Sequence, residues 1–298
     1  MVGRRQRTKN PTRFSRGSVK SFKGLDRVSL LTLDGRKLIP VRLGDYQRAR
    51  MDRRRGQADL LYRNGAFYLA LTVDAPEPEP DDPTGVLGVD LGITNLAVDS
   101  DGETHSGEAV ERSRKRYERI RRKLQPVKTA SARKRKKKLG NREARFKRDT
   151  NHRISKALVR KAKDTNRAIA LEDLRHLRGR TTVRKSQRSR HSKWAYAQLR
   201  DFLEYKARLA GVPVYMVDPR NTSRTCSECG HCEKANRRSQ AEFICRSCGF
   251  VAAADHNAAI NIAARVAVML PKVSDGQDAT RASLASPETS PRALAVGS

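Results

Sequence analysis

Hydrophobic and polar positions change rhythm along the chain, and the changes divide it. Residues 1–24 lack apolar periodicity and are rich in arginine and lysine, which predicts a flexible basic arm. Short strand-like runs follow. Val28–Leu33 and Lys37–Leu43 flank Asp34-Gly35, and Ala58–Tyr62 and Phe67–Val73 flank Asn64-Gly65. Each dipeptide is a hairpin signal, because glycine reaches the positive φ that a tight turn needs. Residues 25–75 therefore predict a small antiparallel sheet, or part of a β-barrel. Acid and proline crowd Asp74–Pro83, so residues 76–84 read as a linker.

From residue 85 strands and helices alternate. Val86–Asp90 and Leu96–Val98 predict strands, with a turn at Asp101-Gly102. Residues 108–164 predict two long helices parted by Pro126, whose ring and missing N–H end a helix. Arg167–Leu171 predicts a short buried strand, and the arginine- and serine-rich stretch 175–192 a loop. Ser192–Ala210 reads as a helix with Leu199, Phe202, Leu203, Ala207 and Ala210 at helical spacing, closed by Gly211. Val212–Val217 predicts a strand and Asp255–Leu270 an alanine-rich helix. The tail 271–298 is low in complexity and predicts disorder. The order β-β-α-β-α-β-α across 85–270 implies an α/β domain with a mixed sheet. No internal repeat is present.

Charge adds a partner. Of 298 residues, 64 are lysine or arginine and 32 are acidic, a formal net charge of +32. Such an excess repels itself unless a polyanion neutralises it, and nucleic acid does so while releasing counterions. A membrane is disfavoured, because no long apolar run is present. Met1–Lys23 lacks an apolar core, so no signal peptide is expected and the cytoplasm, in association with the nucleoid, is the default compartment. Arg112–Lys138 holds fifteen basic residues. A solvated face is the plain reading; helices tracking a nucleic-acid backbone is the one the total charge favours. Aromatic residues make up 5%, so base stacking is a small contribution, and Tyr117, Trp194 and Tyr196 read as packing residues.

The cysteines carry the most specific pattern. Cys226-x-x-Cys229 is followed after fifteen residues by Cys245-x-x-Cys248. Each pair points two thiolates at one ion, and two pairs complete a tetrahedral zinc site, closed and hence structural. Gly230 and Gly249 follow the second cysteine of each pair, where a tight turn needs positive φ. A redox pair is the competing reading. Cys232 lies outside the pattern and reads as a free thiol.

Three acids stand in unusual surroundings. Asp90 lies in Val86-Leu87-Gly88-Val89-Asp90-Leu91-Gly92, where the acid shares its strand face with two glycines. That bare face suggests room for metal and a phosphodiester. Glu172 ends Ala168-Ile169-Ala170-Leu171-Glu172 beside small alanines, and Asp255 opens a helix whose face continues through Ala258, Ala259 and Ile262. Each has a plain alternative: Asp90 a strand end, Glu172 a partner for an arginine, Asp255 a helix N-cap. Together they suggest a two-metal phosphodiesterase site, since magnesium prefers carboxylate oxygens. Two such ions, roughly 3.5–4 Å apart, activate water and stabilise the leaving oxygen. His256, beside Asp255, reads as a helix-surface residue.

At these residues the chain resembles a known family. Gly88-Val89-Asp90-Leu91-Gly92, Leu171-Glu172-Asp173-Leu174, Thr222-Ser223 and Ala254-Asp255-His256-Asn257-Ala258-Ala259-Ile260-Asn261-Ile262 are similar to the motifs of the TnpB family. These are transposon-encoded, RNA-guided DNA nucleases related to type V CRISPR effectors and long labelled transposases. The resemblance covers about residues 85–266. It implies an RNase H-like (RuvC-type) nuclease domain over 85–220 and 253–270, with a basic helical hairpin at 108–164 and a zinc ribbon inserted at 221–252. It implies Asp90, Glu172 and Asp255 as catalytic acids holding magnesium, and Cys226, Cys229, Cys245 and Cys248 as zinc ligands. It also implies a guide RNA from the transposon end and a double-stranded DNA target. Family members carry a longer N-terminal half, with a complete wedge-type barrel and an inserted helical domain; residues 25–75 resemble the later part of that barrel. A binding protein without catalysis and a transposase joining DNA ends are the competing functions.

Overall fold

A computed structural model describes residues 12–13, 19–63, 65–174 and 196–268. The loop at 175–192, the start of the helix expected from Ser192, Trp194, Asn64 and the tail 271–298 lie outside the described residues, as does most of the arm. The chain forms two compact units interleaved in sequence.

The first unit takes residues 1–81, 145–164 and 195–213. Its strands form two antiparallel three-stranded sheets, ordered β1-β5-β6 and β2-β3-β4. Here β1 is Thr12–Arg13, β2 Val19–Lys23, β3 Arg27–Thr32, β4 Gly35–Pro40, β5 Arg54–Arg63 and β6 Ala66–Val73, with a short helix α1 at Asp45–Arg48. Both hairpin signals hold: Gly35 and Gly65 sit at φ +91° and +88°. The expectation of a flexible arm through residue 24 is corrected. Val19–Lys23 pairs with β3 and Thr12–Arg13 with β5. The partner of β1 lies far along the chain, with Thr12 opposite Leu60, so local periodicity carries little trace of it; β2 pairs with the next strand, Lys23 opposite Arg27, but is too short and basic for its alternation to stand out.

The second unit takes residues 82–144, 165–194 and 214–298. Its core is a five-stranded mixed sheet ordered β11-β10-β7-β8-β9. The strands are β7 Gly85–Asp90, β8 Asn95–Asp99, β9 Thr104–Ser106, β10 Arg167–Glu172 and β11 Val214–Val217. β10 runs parallel to both β7 and β11, with Ile169 opposite Leu87 and Val214. Parallel neighbours require long crossovers, supplied between β7 and β10 by helices α2 (Glu108–Leu124) and α3 (Ala130–Asp164). The expected break falls between them. α2 ends one residue before Gln125-Pro126, and the Thr129 hydroxyl caps α3 by accepting from the Ala132 N–H at 3.2 Å. Most of the run Arg133–Lys138 faces solvent, and Tyr117 is half-buried.

α4 (Tyr196–Ala210) joins β10 to β11 in the chain and buries Leu199, Leu203 and Ala207, at the spacing its sequence predicts. α5 (Ala254–Ala267) lies on the sheet. Its Ile262 and Val266 pack with Ala170 of β10 and Val217 of β11. Burying each such side chain contributes about 1.5–3 kcal/mol. Among the described residues, no helix is long and apolar enough to cross a membrane.

Candidate active site and metal centre

The site grows from a close approach of helix to strand. Gly88 shares its strand face with Asp90, and α5 crosses that face. A Cβ at Gly88 would collide with the Ala259 carbonyl oxygen and stand 2.6 Å from the Ala263 nitrogen. The bare glycine face is therefore not room for metal, as its sequence suggested. Backbone of α5 fills it, and Gly92 is bare because its own turn brings the Asn95 oxygen to 2.5 Å of such a Cβ. Helical spacing puts Asp255 one turn before Ala259 on the same face. The glycine thus brings the first turn of α5 down beside Asp90.

Glu172 joins them from the neighbouring strand. Leu171 pairs with Val89, so Glu172 and Asp90 end adjacent parallel strands. The alternation that sends Ala168 and Ala170 toward α5 sends Glu172 the same way. All three sequence-predicted acids are thus in one place. Burial pushes the Asp90 carboxyl up to about 8, helped by the negative charges of Glu172 and Asp255 and opposed by Arg237 and the Leu91 N–H. Glu172 is likewise raised, chiefly by burial, against the lowering effect of the Thr222 hydroxyl, Arg265 and Arg237.

Several side chains hold the acids in place. Asn95 donates its amide to Asp255 at 2.9 Å. Thr222 donates its hydroxyl to Glu172. Arg237 lies 3.7 Å from Asp255 and also donates to the Gln240 carbonyl at 3.2 Å. Sequence reasoning singled out neither Asn95 nor Arg265. Arg237 sits among other basic residues near the cysteines with nothing in its sequence context to mark it, and Thr222 appears only within a motif. His256 is not a plain surface residue: its Nε2 lies 3.2 Å from the Ser100 carbonyl.

The cysteines converge as their spacing predicts. The four Sγ atoms of Cys226, Cys229, Cys245 and Cys248 lie within 4.8 Å of one another, a cluster able to hold a metal ion. Each pair turns in the same way. Gly230 and Gly249 take φ +73° and +75°, and each donates its N–H back to the first cysteine of its pair, at 3.0 and 3.1 Å. Strands β12 (Glu242–Ile244) and β13 (Val251–Ala253) form the ribbon, with Phe243 fully buried beneath. Buried Asn236 ties the two turns together, donating to the His231 carbonyl at 3.1 Å and accepting from the Arg246 N–H at 2.9 Å. The Cys248 backbone N–H, with Ser247's, pulls the Cys245 thiol down to about 6. Cys232 is exposed and outside the cluster.

Ribbon and acids share a helix. Asn257 of α5 donates to the Thr225 carbonyl at 2.8 Å and accepts from the Ser227 N–H at 3.0 Å. Asn261, one turn on, donates to the carbonyls of Thr222 and Thr225 at 2.9 and 2.7 Å.

The fold, a mixed sheet with helices on it, has a counterpart among solved structures. The fold matches that of a mini-RNA-guided endonuclease, CRISPR-Cas_phi3, with a TM-score of 0.53 at 15% identity, over 81% of this chain and 57% of that one. Two family models narrow the likeness: "Probable transposase" matches residues 69–178, and "Cas12f1-like, TNB domain" matches residues 196–262. The chain resembles the TnpB family, with TnpB-like and Cas12f proteins among its relatives. It is 27% identical to the TnpB-like protein MJ0751 of Methanocaldococcus jannaschii, over 81% of this chain and 91% of that protein. It is 35% identical to the CRISPR-associated endodeoxyribonuclease Cas12f1 of Sulfoacidibacillus thermotolerans, over 67% of this chain. The chain spans half the length of that relative.

Proposed function

We propose that the chain is an RNA-guided, magnesium-dependent DNA endonuclease with an RNase H-like (RuvC-type) catalytic domain. The observation that carries this reading is the meeting of Asp90, Glu172 and Asp255. A carboxyl held near 8 by burial first, and then by the charges of two further acids, belongs to a site that a cation would relieve. Hard oxygen donors at the end of a sheet suit magnesium. Bound there, two magnesium ions would supply an activated water and charge stabilisation at the leaving oxygen.

The chain's own residues prepare the site. The Leu91 N–H, the Thr222 hydroxyl and the Asn95 amide each hold one carboxylate. Arg237 moderates the negative charge before any cation arrives. The exposed basic run of α3 offers sequence-independent contacts to a phosphate backbone. The likeness to RNA-guided relatives supports an RNA guide, and residues 25–75 would be the later part of a wedge-type barrel.

The ion assigned to the cysteines is zinc. Zinc–sulfur bonds of about 2.3 Å in a tetrahedron require sulfurs about 3.8 Å apart. Cys226 and Cys248 stand 3.7 Å apart, and Cys229 and Cys245 3.5 Å. The site uses all four thiolates and leaves no open position, so its role is structural.

Sequencing the RNA that copurifies with the chain tests the guided reading. A defined RNA ending in a variable segment is expected. Bulk cellular RNA without a common species would leave a nucleic-acid-binding protein in its place.

A further inference from the structure

Each of the three acids is held by a different donor, and the one on Glu172 sits in a loop tied to the helix that carries Asp255. Asp90 accepts from the N–H of its own neighbour Leu91. Glu172, with the longest side chain of the three, has more rotamers to lose. Its hydroxyl donor, Thr222, lies 50 residues away in sequence and is 2% exposed.

The Thr222 hydroxyl has one proton and two oxygens in reach. The Pro219 carbonyl lies at 3.2 Å, and the Glu172 carboxylate is closer. A hydrogen bond to an ionised acceptor is shorter and roughly twice as strong, so the proton goes to Glu172. The loop that carries Thr222 is fixed from one helix. Asn261 binds the carbonyls of Thr222 and Thr225, and Arg265, a turn further on, binds the carbonyls of Asp218 and Arg220. Both lie on α5, whose first turn carries Asp255. The helix that supplies one acid therefore also fixes the loop that orients another.

We propose that Thr222, anchored by Asn261 and Arg265, is a positioning residue that holds the Glu172 carboxylate in the orientation a divalent cation needs. This rests on the metal site proposed above. Groups that orient a metal's ligands typically change affinity by about 10–100-fold when removed. Thr222→Val keeps the shape and removes the hydroxyl; Thr222→Ser keeps the hydroxyl.

Manganese binding to the full chain, followed by the loss of free-ion paramagnetic resonance signal, separates the possibilities. Asp90→Ala marks the binding that belongs to the site. If the wild type binds no manganese there, the proposed metal site itself fails. If it binds, Thr222→Val should bind about tenfold more weakly, Thr222→Ser should match the wild type, and affinity for duplex DNA should be unchanged. Wild-type affinity in Thr222→Val, or an equal loss in Thr222→Ser, would overturn the positioning role. Should Thr222→Val fail to retain zinc, Asn261→Ala decides: weaker manganese binding supports the proposal and unchanged binding overturns it.

Discussion

Replacing Asp90 by asparagine should stabilise the metal-free protein while abolishing its response to magnesium. Burial, then the charges of Glu172 and Asp255, hold this carboxyl near 8, against an ordinary 3.8. A raised carboxyl costs stability as pH climbs through the interval between those values. The unfolded chain gives up its proton there, while the folded chain keeps it. The cost is absent below about 3.8, grows with pH, and is complete at about 8. Some three pH units separate 3.8 from neutrality, each worth about 1.4 kcal/mol, which sets a ceiling of about 4 kcal/mol at pH 7. Partial contact of Asp90 with solvent screens the charge, and a gain of about 1–2 kcal/mol is the expected size. Urea unfolding at pH 5 and pH 7.5, in magnesium-free buffer without chelator so that the ribbon keeps its ion, measures it. The variant's advantage should widen as pH rises. Added magnesium should stabilise the wild type by mass action and leave the variant unmoved. A variant no more stable than wild type, or an advantage equal at both pH values, would refute the electrostatic argument.

Other changes probe separate parts. Gly88→Ala places a Cβ against the backbone of α5 at Ala259 and Ala263; overpacking should cost about 1–3 kcal/mol in urea unfolding and lower cleavage without touching an acid. Arg237→Ala removes a cation that lowers both Asp90 and Glu172; their carboxyls should rise further, moving the pH midpoint of magnesium-dependent cleavage up by about one unit. Cys245→Ser should drop bound zinc, measured by elemental analysis, from about one per chain to none and lower the melting temperature.

The parts legible in the sequence share a physical cause, which is that their signal is local. The ribbon depends on two spacings and two glycines, all within 24 residues, and it folds as those predict. The helical face of α4 is written in Leu199, Leu203 and Ala207, and all three are buried. The meeting of Asp90, Glu172 and Asp255 was legible only through motifs, since each alone reads equally as a strand end, an ion-pair partner or a cap. What escaped is non-local or very short. β9 has three residues, too few for alternation to register. β1 has two residues and pairs with distant β5, while the five residues of β2 show little apolar alternation although its partner β3 is the next strand. Arg237 reaches the acids from the ribbon, and nothing in its neighbourhood of basic residues distinguishes it. The glycines beside Asp90 were noticed for the right position and the wrong reason: Gly88 admits a helix, and the helix brings an acid.

The account turns on those three carboxylates cutting DNA under RNA guidance. The measurement that meets it directly is cleavage of a labelled duplex matching the copurified RNA, by the full chain and by Glu172→Gln, across a magnesium titration. The account predicts magnesium-dependent cutting by the wild type and none by the variant. A wild type that never cuts at any magnesium concentration, or a variant that cuts as well, would contradict it.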